Sequence, residues 1–198
     1  NLGHTLKEQG DLAGAITSYN RAIEIDPAFA EAQTYIGNTL QELGDLQAAI
    51  QSYLRAIEIK PDYAEAHSNL GNALKDLGDL ERAIASCKRA IEIKPDYAGA
   101  HNNLGILLQA KGGLRAAIRS CQRAIEINPD YAEAHSNLGN ALLDMGETGE
   151  AISHYKKAIE IRPNFAQAHN NLGNALFQIL SQKYATRSAS PLPNSPSR

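Results

Sequence analysis

The sequence repeats itself at a fixed interval. AEAHSNLGNAL occupies 64–74 and returns unchanged at 132–142, and RAIEIKPDYA occupies 55–64 and returns at 89–98. The separations are 68 and 34, so the unit is 34 residues long and the first match skips one copy. A period of this size restricts the chain to repeat architectures, in which neighbouring units share a core that none could bury alone.

Within residues 64–97 the pattern predicts two helices. Ala66, Leu70, Ala73, Leu74 and Leu77 fall at three- and four-residue spacing, and so do Leu80, Ala83, Ile84, Cys87, Ala90 and Ile91. Each set makes one apolar stripe on a helix. Between them Gly78 stops the first helix and Asp79 is placed to cap the second. Lys94-Pro95-Asp96 ends the second, because proline cannot continue a helix and restricts the residue before it. Asp62 with Glu65, and Asp130 with Glu133, have the spacing of a capping box at the start of the first helix.

Small residues recur at fixed slots: Gly at 3, 37, 71, 105, 139 and 173, Ala at 15, 49, 83, 117 and 151, and Ala again at 22, 56, 90, 124 and 158. Proline returns at 27, 61, 95, 129 and 163. Gly71 and Ala83 are placed to let the two helices of a unit approach closely, and Ala90 to admit the next unit. One small residue per period at one helical slot is a packing rule rather than a catalytic one.

On these residues the chain resembles the tetratricopeptide repeat family. The family's first-helix pattern stands here as His67, Leu70-Gly71 and Leu74, and its second-helix pattern as Ala83, Cys87, Ala90 and Pro95. Two slots depart from it. His replaces the usual Trp, and Cys87 and Cys121 replace an aromatic that Tyr19, Tyr53 and Tyr155 keep. The resemblance covers residue 1 to about residue 180, and implies an all-α, right-handed α-solenoid of stacked helix-turn-helix units. Composition agrees: the chain has no tryptophan, no strand-like alternation, and an Ala/Leu/Ile-rich apolar set.

Residues 1–29 are expected to be a truncated first repeat, because NLGHTL aligns with Asn69–Leu74. Complete repeats are expected at 30–63, 64–97, 98–131 and 132–165. Residues 166–185 are expected to form a terminal first helix acting as a cap. Leu180 stands where a stop glycine belongs, so that helix is expected to run to about Tyr184. The Ser/Pro-rich segment 186–198 is expected to be disordered. Met145 is the only methionine, which points to a processed or excised piece of a longer chain.

Residues 1–182 carry 16 basic and 22 acidic side chains, a net of −6, and Lys183, Arg187 and Arg198 bring the total to −3. Nucleic acid is a poor partner for such a surface, since binding normally needs a basic stripe. No apolar run approaches the roughly 18 residues of a membrane span, and no secretory signal is visible. The default compartment is the cytoplasm.

The resemblance also implies a binding face. In arrays of this family the first helices line a concave groove that holds an extended peptide or a partner helix. By slot, the groove would be lined by Glu65, Ser68, Asn69, Asn72, Lys75 and Asp76. Asn69 recurs as Asn103, Asn137 and Asn171, with Asn1 ahead and Tyr35 interrupting; Asn72 recurs as Asn38, Asn140 and Asn174, with His4 and Ile106 as exceptions. Asn102 and Ser136 share the Ser68 slot. Asparagine offers a donor and an acceptor together, the complement of a peptide group, so a column of them can hold a bound backbone whatever its side chains. This column is similar to the repeat arm of O-linked N-acetylglucosamine transferases.

The family's other mode, a basic clamp on an acidic C-terminus, lacks its residues. The slots of Ser68 and Asn72 hold Thr34, Asn38, Asn102, Ile106, Ser136, Asn140, Asn170 and Asn174 elsewhere, none basic. Glu31, Glu65 and Glu133 line one edge and Glu8, Glu42, Asp76 and Asp144 the other, which favours a neutral or basic ligand.

No catalytic, metal or cofactor site is expected. His67, His101, His135 and His169 share one slot per unit, and roughly 10 Å between equivalent helices cannot bring them to the about 2 Å that a metal ligand needs. Cys87 and Cys121 are slot-equivalent too, too far apart for a disulfide, and read as buried free thiols of a reducing compartment. There is no phosphate loop, nucleophile elbow or HExxH motif. The expected function is a non-enzymatic interaction scaffold. The alternatives are the substrate-recruiting arm of a larger, glycosyltransferase-like enzyme and a module that self-associates through its ends.

Overall fold

The 34-residue period becomes a series of helical hairpins. The computed structural model describes residues 2–188, and these form eleven α-helices and no strand. In chain order they are α1 (Leu2–Glu8), α2 (Leu12–Ile25), α3 (Ala30–Glu42), α4 (Leu46–Ile59), α5 (Ala64–Asp76), α6 (Leu80–Ile93), α7 (Ala98–Ala110), α8 (Leu114–Ile127), α9 (Ala132–Asp144), α10 (Thr148–Ile161) and α11 (Ala166–Ser188). Odd-numbered helices are the first helices of their units and even-numbered ones the second. Asn1 and the segment 189–198, where most of the disorder expectation falls, lie outside the described residues; 186–188 belong to α11.

The turn inside a unit is built as its sequence dictates. Gly78 takes φ +89°, a conformation that costs a residue with a Cβ. Its N–H donates to the Lys75 carbonyl (2.9 Å) and the Asp79 N–H to the Leu74 carbonyl (2.9 Å), the double bond of a Schellman ending. The Asp79 carboxylate then accepts from the Arg82 N–H at 3.2 Å and opens α6. Asp11 and Asp45 do the same for α2 and α4.

The expected capping boxes do not form. Tyr63 and Tyr131 take the cap positions of α5 and α9, and no side chain caps either helix. The polar residues there serve the turn itself: the Asn128 side chain accepts from the Asp130 N–H at 3.2 Å, and the Tyr63 N–H donates to the Lys60 carbonyl at 3.1 Å. The capping spacing starts the helix one residue too early.

The slot glycines mark the tightest approach. A Cβ on Gly71 would lie 2.5 Å from Cys87 Sγ and 3.0 Å from the Ala83 carbonyl oxygen; on Gly37 it would lie 2.5 Å from the Tyr53 ring. Gly173 has nothing within 4 Å, since no second helix packs on α11 among the described residues. Ala83 and Ala90 and their equivalents Ala49, Ala56, Ala117 and Ala124 are fully buried. One apolar cluster runs through α4 to α7 and another through α8 to α11, with Leu108 packed against both. Each buried Leu or Ile contributes roughly 1.5–3 kcal/mol.

The curvature follows from the contacts. First helices of successive units touch (α3 with α5, α5 with α7, α7 with α9, α9 with α11), whereas among the described residues no two second helices make comparable contact. The first helices therefore line the inner face, and the second helices fan out on the outer one. Past Ile179, α11 continues through Leu180 to Ser188 and leaves Leu176, Phe177 and Leu180 exposed.

A candidate groove lined by asparagines

On the inner face the asparagines are tied to one another. The Asn69 amide donates to Asn38 Oδ1 (3.0 Å), Asn103 to Ser68 Oγ (3.3 Å), Asn137 to Asn102 Oδ1 (2.9 Å) and Asn171 to Asn140 Oδ1 (2.8 Å). Each bond links the first helix of one unit to that of the unit before. Asn38 and Asn140 also accept from the Tyr53 and Tyr155 hydroxyls, at 2.8 and 2.9 Å. All of these asparagines except Asn102 are half-buried, and Asn72 is too. Asn174 is exposed.

The expected lining is narrower than the slots implied. Ser68, Asn102 and Ser136 are buried, at 1, 4 and 2% exposure, and face the seam between first helices rather than a ligand. The Tyr97 hydroxyl lies against Ser68 and that of Tyr131 against Asn102. Ser136 has no hydrogen-bond partner among the described residues. Phe165 stands in the Tyr97 slot and brings no hydroxyl, and Asn171 has turned to Asn140 instead.

A second ladder runs along the groove edge, which the sequence reading missed. Lys7 pairs with Glu42 (3.1 Å), the Gln41 amide donates to Asp76 (2.9 Å), and Gln109 to Asp144 (2.6 Å). Each joins a donor to an acid 35 residues later. Ala110 breaks the series, so Lys75 turns back to Asn72 Oδ1 (3.0 Å) and Asp76 (3.2 Å). The recurring signal was present in the sequence as Lys or Gln at 7, 41, 75 and 109 beside acids at 8, 42, 76 and 144. Glu133 on the other edge is held by Arg162 at 2.7 Å, and Glu31 by Lys60 at 3.7 Å.

The histidines are turn clamps. Nε2 of His67, His101, His135 and His169 lies 2.9–3.1 Å from the carbonyl of Pro61, Pro95, Pro129 and Pro163, respectively. A carbonyl only accepts, so Nε2 carries the proton. Cys87 and Cys121 are free and buried, and desolvation pushes both thiols up to about 12, which leaves them protonated and unreactive at neutral pH. Among the described residues no group of three or more His, Cys, Asp or Glu side chains is placed to hold a metal ion. No described helix is long and apolar enough to cross a membrane.

Hairpins stacked at this period, with first helices inward and small residues at the seams, define a protein-interaction solenoid. The family model of the TPR repeat matches residues 3–44, 37–78, 71–112, 110–146 and 139–179, and the chain belongs to that family. Among solved structures it is similar to MamA, at 29% identity and TM-score 0.69, covering 84% of this chain and 98% of that one. It is also similar to TTC0263, a thermophilic TPR protein of Thermus thermophilus, at 27% identity and TM-score 0.75, covering 89% and 96%. YrrB, a TPR protein with an unusual peptide-binding site, shares the fold at 24% identity and TM-score 0.64, covering 85% and 87%. No curated protein matches the chain.

Proposed function

We propose that the chain is a scaffold that holds an extended protein segment, neutral or basic, along its inner face. The observation that carries this reading is the state of the asparagine column. Asn69, Asn103, Asn137 and Asn171 each commit one amide hydrogen to the preceding unit. Each keeps its carbonyl oxygen and second hydrogen for the groove. A side chain already pinned loses little freedom when it binds, which favours affinity. Among the described residues Asp144 has only the Gln109 amide and no lysine of the kind that neutralises Glu42, so basic residues are favoured near that end. The scaffold itself performs no reaction.

The test is capture of peptides from a random library by the wild type and two variants. One replaces Asn69, Asn103, Asn137 and Asn171 with Ala; the other replaces Asn72 and Asn174, which tie no units together. Captured peptides should be extended and depleted in Asp and Glu, and both variants should lose them while their circular dichroism stays helical. Equal capture by all three proteins, or none by the wild type, would refute the reading.

Exposed Leu176, Phe177 and Leu180 favour a second reading, self-association through the end of the array. Light scattering decides it: a mass that rises with concentration, and stops rising in Phe177→Ser, supports association. A constant monomer mass removes it.

A further inference from the structure

The outer face carries two clefts that the groove reading does not use. One, of about 330 Å³, has a floor of Ile57, Leu70 and Leu74 and a rim of Arg82 and Arg89. The other, of about 440 Å³, has a floor of Ile91, Leu104 and Leu108 and a charged rim of Lys88, Arg119, Arg123 and one acid, Glu92, which is paired with Arg89. They are copies one period apart, with His67 in the wall of the first and His101 in the wall of the second. Both histidines spend their Nε2–H on a proline carbonyl, which leaves Nδ1 as an acceptor.

The next unit shows what fits. There the slot of Ser86 and Ser120 holds His154, and its ring lies edge to edge with that of His135, centroids 5.4 Å apart and planes 28° apart. Its Nδ1 lies 3.1 Å from Nδ1 of His135. Since His135 donates through Nε2 to Pro129, His154 must be the donor in the neutral pair. The chain thus fills its own third cleft with a planar ring that meets the histidine edge-on and gives it an N–H. The rim changes too: Ser153 replaces Arg119 there, and Glu150 stands in the slot of Arg82.

We propose that the two open clefts together dock an acidic helix of a partner protein that inserts two tryptophans, seven residues apart. Each indole sits where His154 sits, edge-on to the histidine, and donates its N–H to Nδ1 of His67 or His101. Seven residues of helix rise about 10.5 Å, which matches the roughly 10 Å between equivalent helices. Charge selects the flanks. Arg119 and Lys88 have no acidic partner among the described residues, Arg89 and Arg123 bond only to exposed acids on their own helices, and Arg82 bonds to its half-buried cap Asp79. This docking is independent of the inner groove.

The probe is a blocked, fluorescein-labelled helical peptide with two Trp at that spacing and Glu on both flanks, followed by anisotropy. A second peptide carries Lys for Glu. The Glu peptide should bind saturably and more tightly than the Lys peptide. Arg119→Glu with Arg123→Glu should weaken it about tenfold or more. Ser86→His with Ser120→His, which gives these clefts the side chain that the next one already accommodates, should abolish binding without loss of helix. Absence of saturable binding, equal binding of the two peptides, or binding untouched by the histidine pair each overturns the proposal.

Discussion

Two kinds of unit make up this array, two cysteine units side by side between tyrosine units, and one side chain separates them. In units 30–63 and 132–165 the second helix presents Tyr53 or Tyr155, whose hydroxyl bonds to Asn38 or Asn140 of its own first helix. The next unit's asparagine then bonds to that same oxygen, 31 residues back. In units 64–97 and 98–131 the slot holds Cys87 or Cys121, and no hydroxyl reaches across. Asn72 is taken by Lys75, and Ile106 has nothing to accept with. The following asparagines reach instead to Ser68 and Asn102, 35 residues back. Beside Cys87 a larger side chain is added as well: Leu107 of the next unit stands in the slot of Ala73, fully buried in the same cluster, whereas Ala141 holds that slot beyond Cys121. A repeat can thus keep its backbone while exchanging one inter-unit bond for another, provided that the polar partner changes with it.

The largest effect that would break this comparison is at the slot glycine. Gly37→Ala drives a methyl into a tyrosine ring whose one hydroxyl hydrogen is shared between Asn38 Oδ1 (2.8 Å) and Gln41 Oε1 (3.1 Å), and should cost about 1–3 kcal/mol in urea unfolding. Gly173→Ala meets nothing and should gain about 0.5–1 kcal/mol from helix propensity. Equal effects at the two sites would mean that the glycine is not a packing requirement. Next comes the hydroxyl. Tyr53→Phe should cost about 1 kcal/mol, whereas Tyr19→Phe should cost nothing. The buried Tyr19 hydroxyl has no partner among the described residues, because His4 occupies the asparagine slot and packs edge-on at 5.8 Å. Phe165→Tyr should stabilise by up to about 1 kcal/mol by reaching the orphaned Ser136 hydroxyl, and no gain would remove that explanation.

Much of this was legible in the sequence. The period gave the hairpins, the glycines their closest approach, and Asp79 its cap, because each depends on residues within one unit. The inner face was legible only as a set of slots. Whether Ser68 faces a ligand or a seam depends on how far the next unit slides across it, which no local spacing encodes. The same holds for Asn69, whose partner is chosen by a residue on another helix. The capping boxes failed for a different reason: Asp62 has the right spacing, but Tyr63 already occupies the cap position, and no side chain caps the helix backbone there. The His135–His154 pair was missed because His154 breaks a serine slot, and the histidine set was read as one column.

That pair supplies the smallest and most selective prediction. Burial, and then the neighbouring His135, hold His154 below the ordinary imidazole value, with Glu150 on its own helix pulling the other way. In the unfolded chain His154 takes up its proton near pH 6.5. In the folded chain it does so only at lower pH. Below about pH 6.5 the unfolded state therefore binds more protons, and stability falls as pH falls through the window between the two values. Amide exchange in α9 and α10 should accelerate between about pH 7.5 and pH 5.5, once corrected for intrinsic rates. His154→Ser, which restores the residue of the cysteine units, should flatten that response. It should also reopen the third cleft. If the variant keeps the full pH response, the titrating group lies elsewhere, and the histidine pair is packing alone.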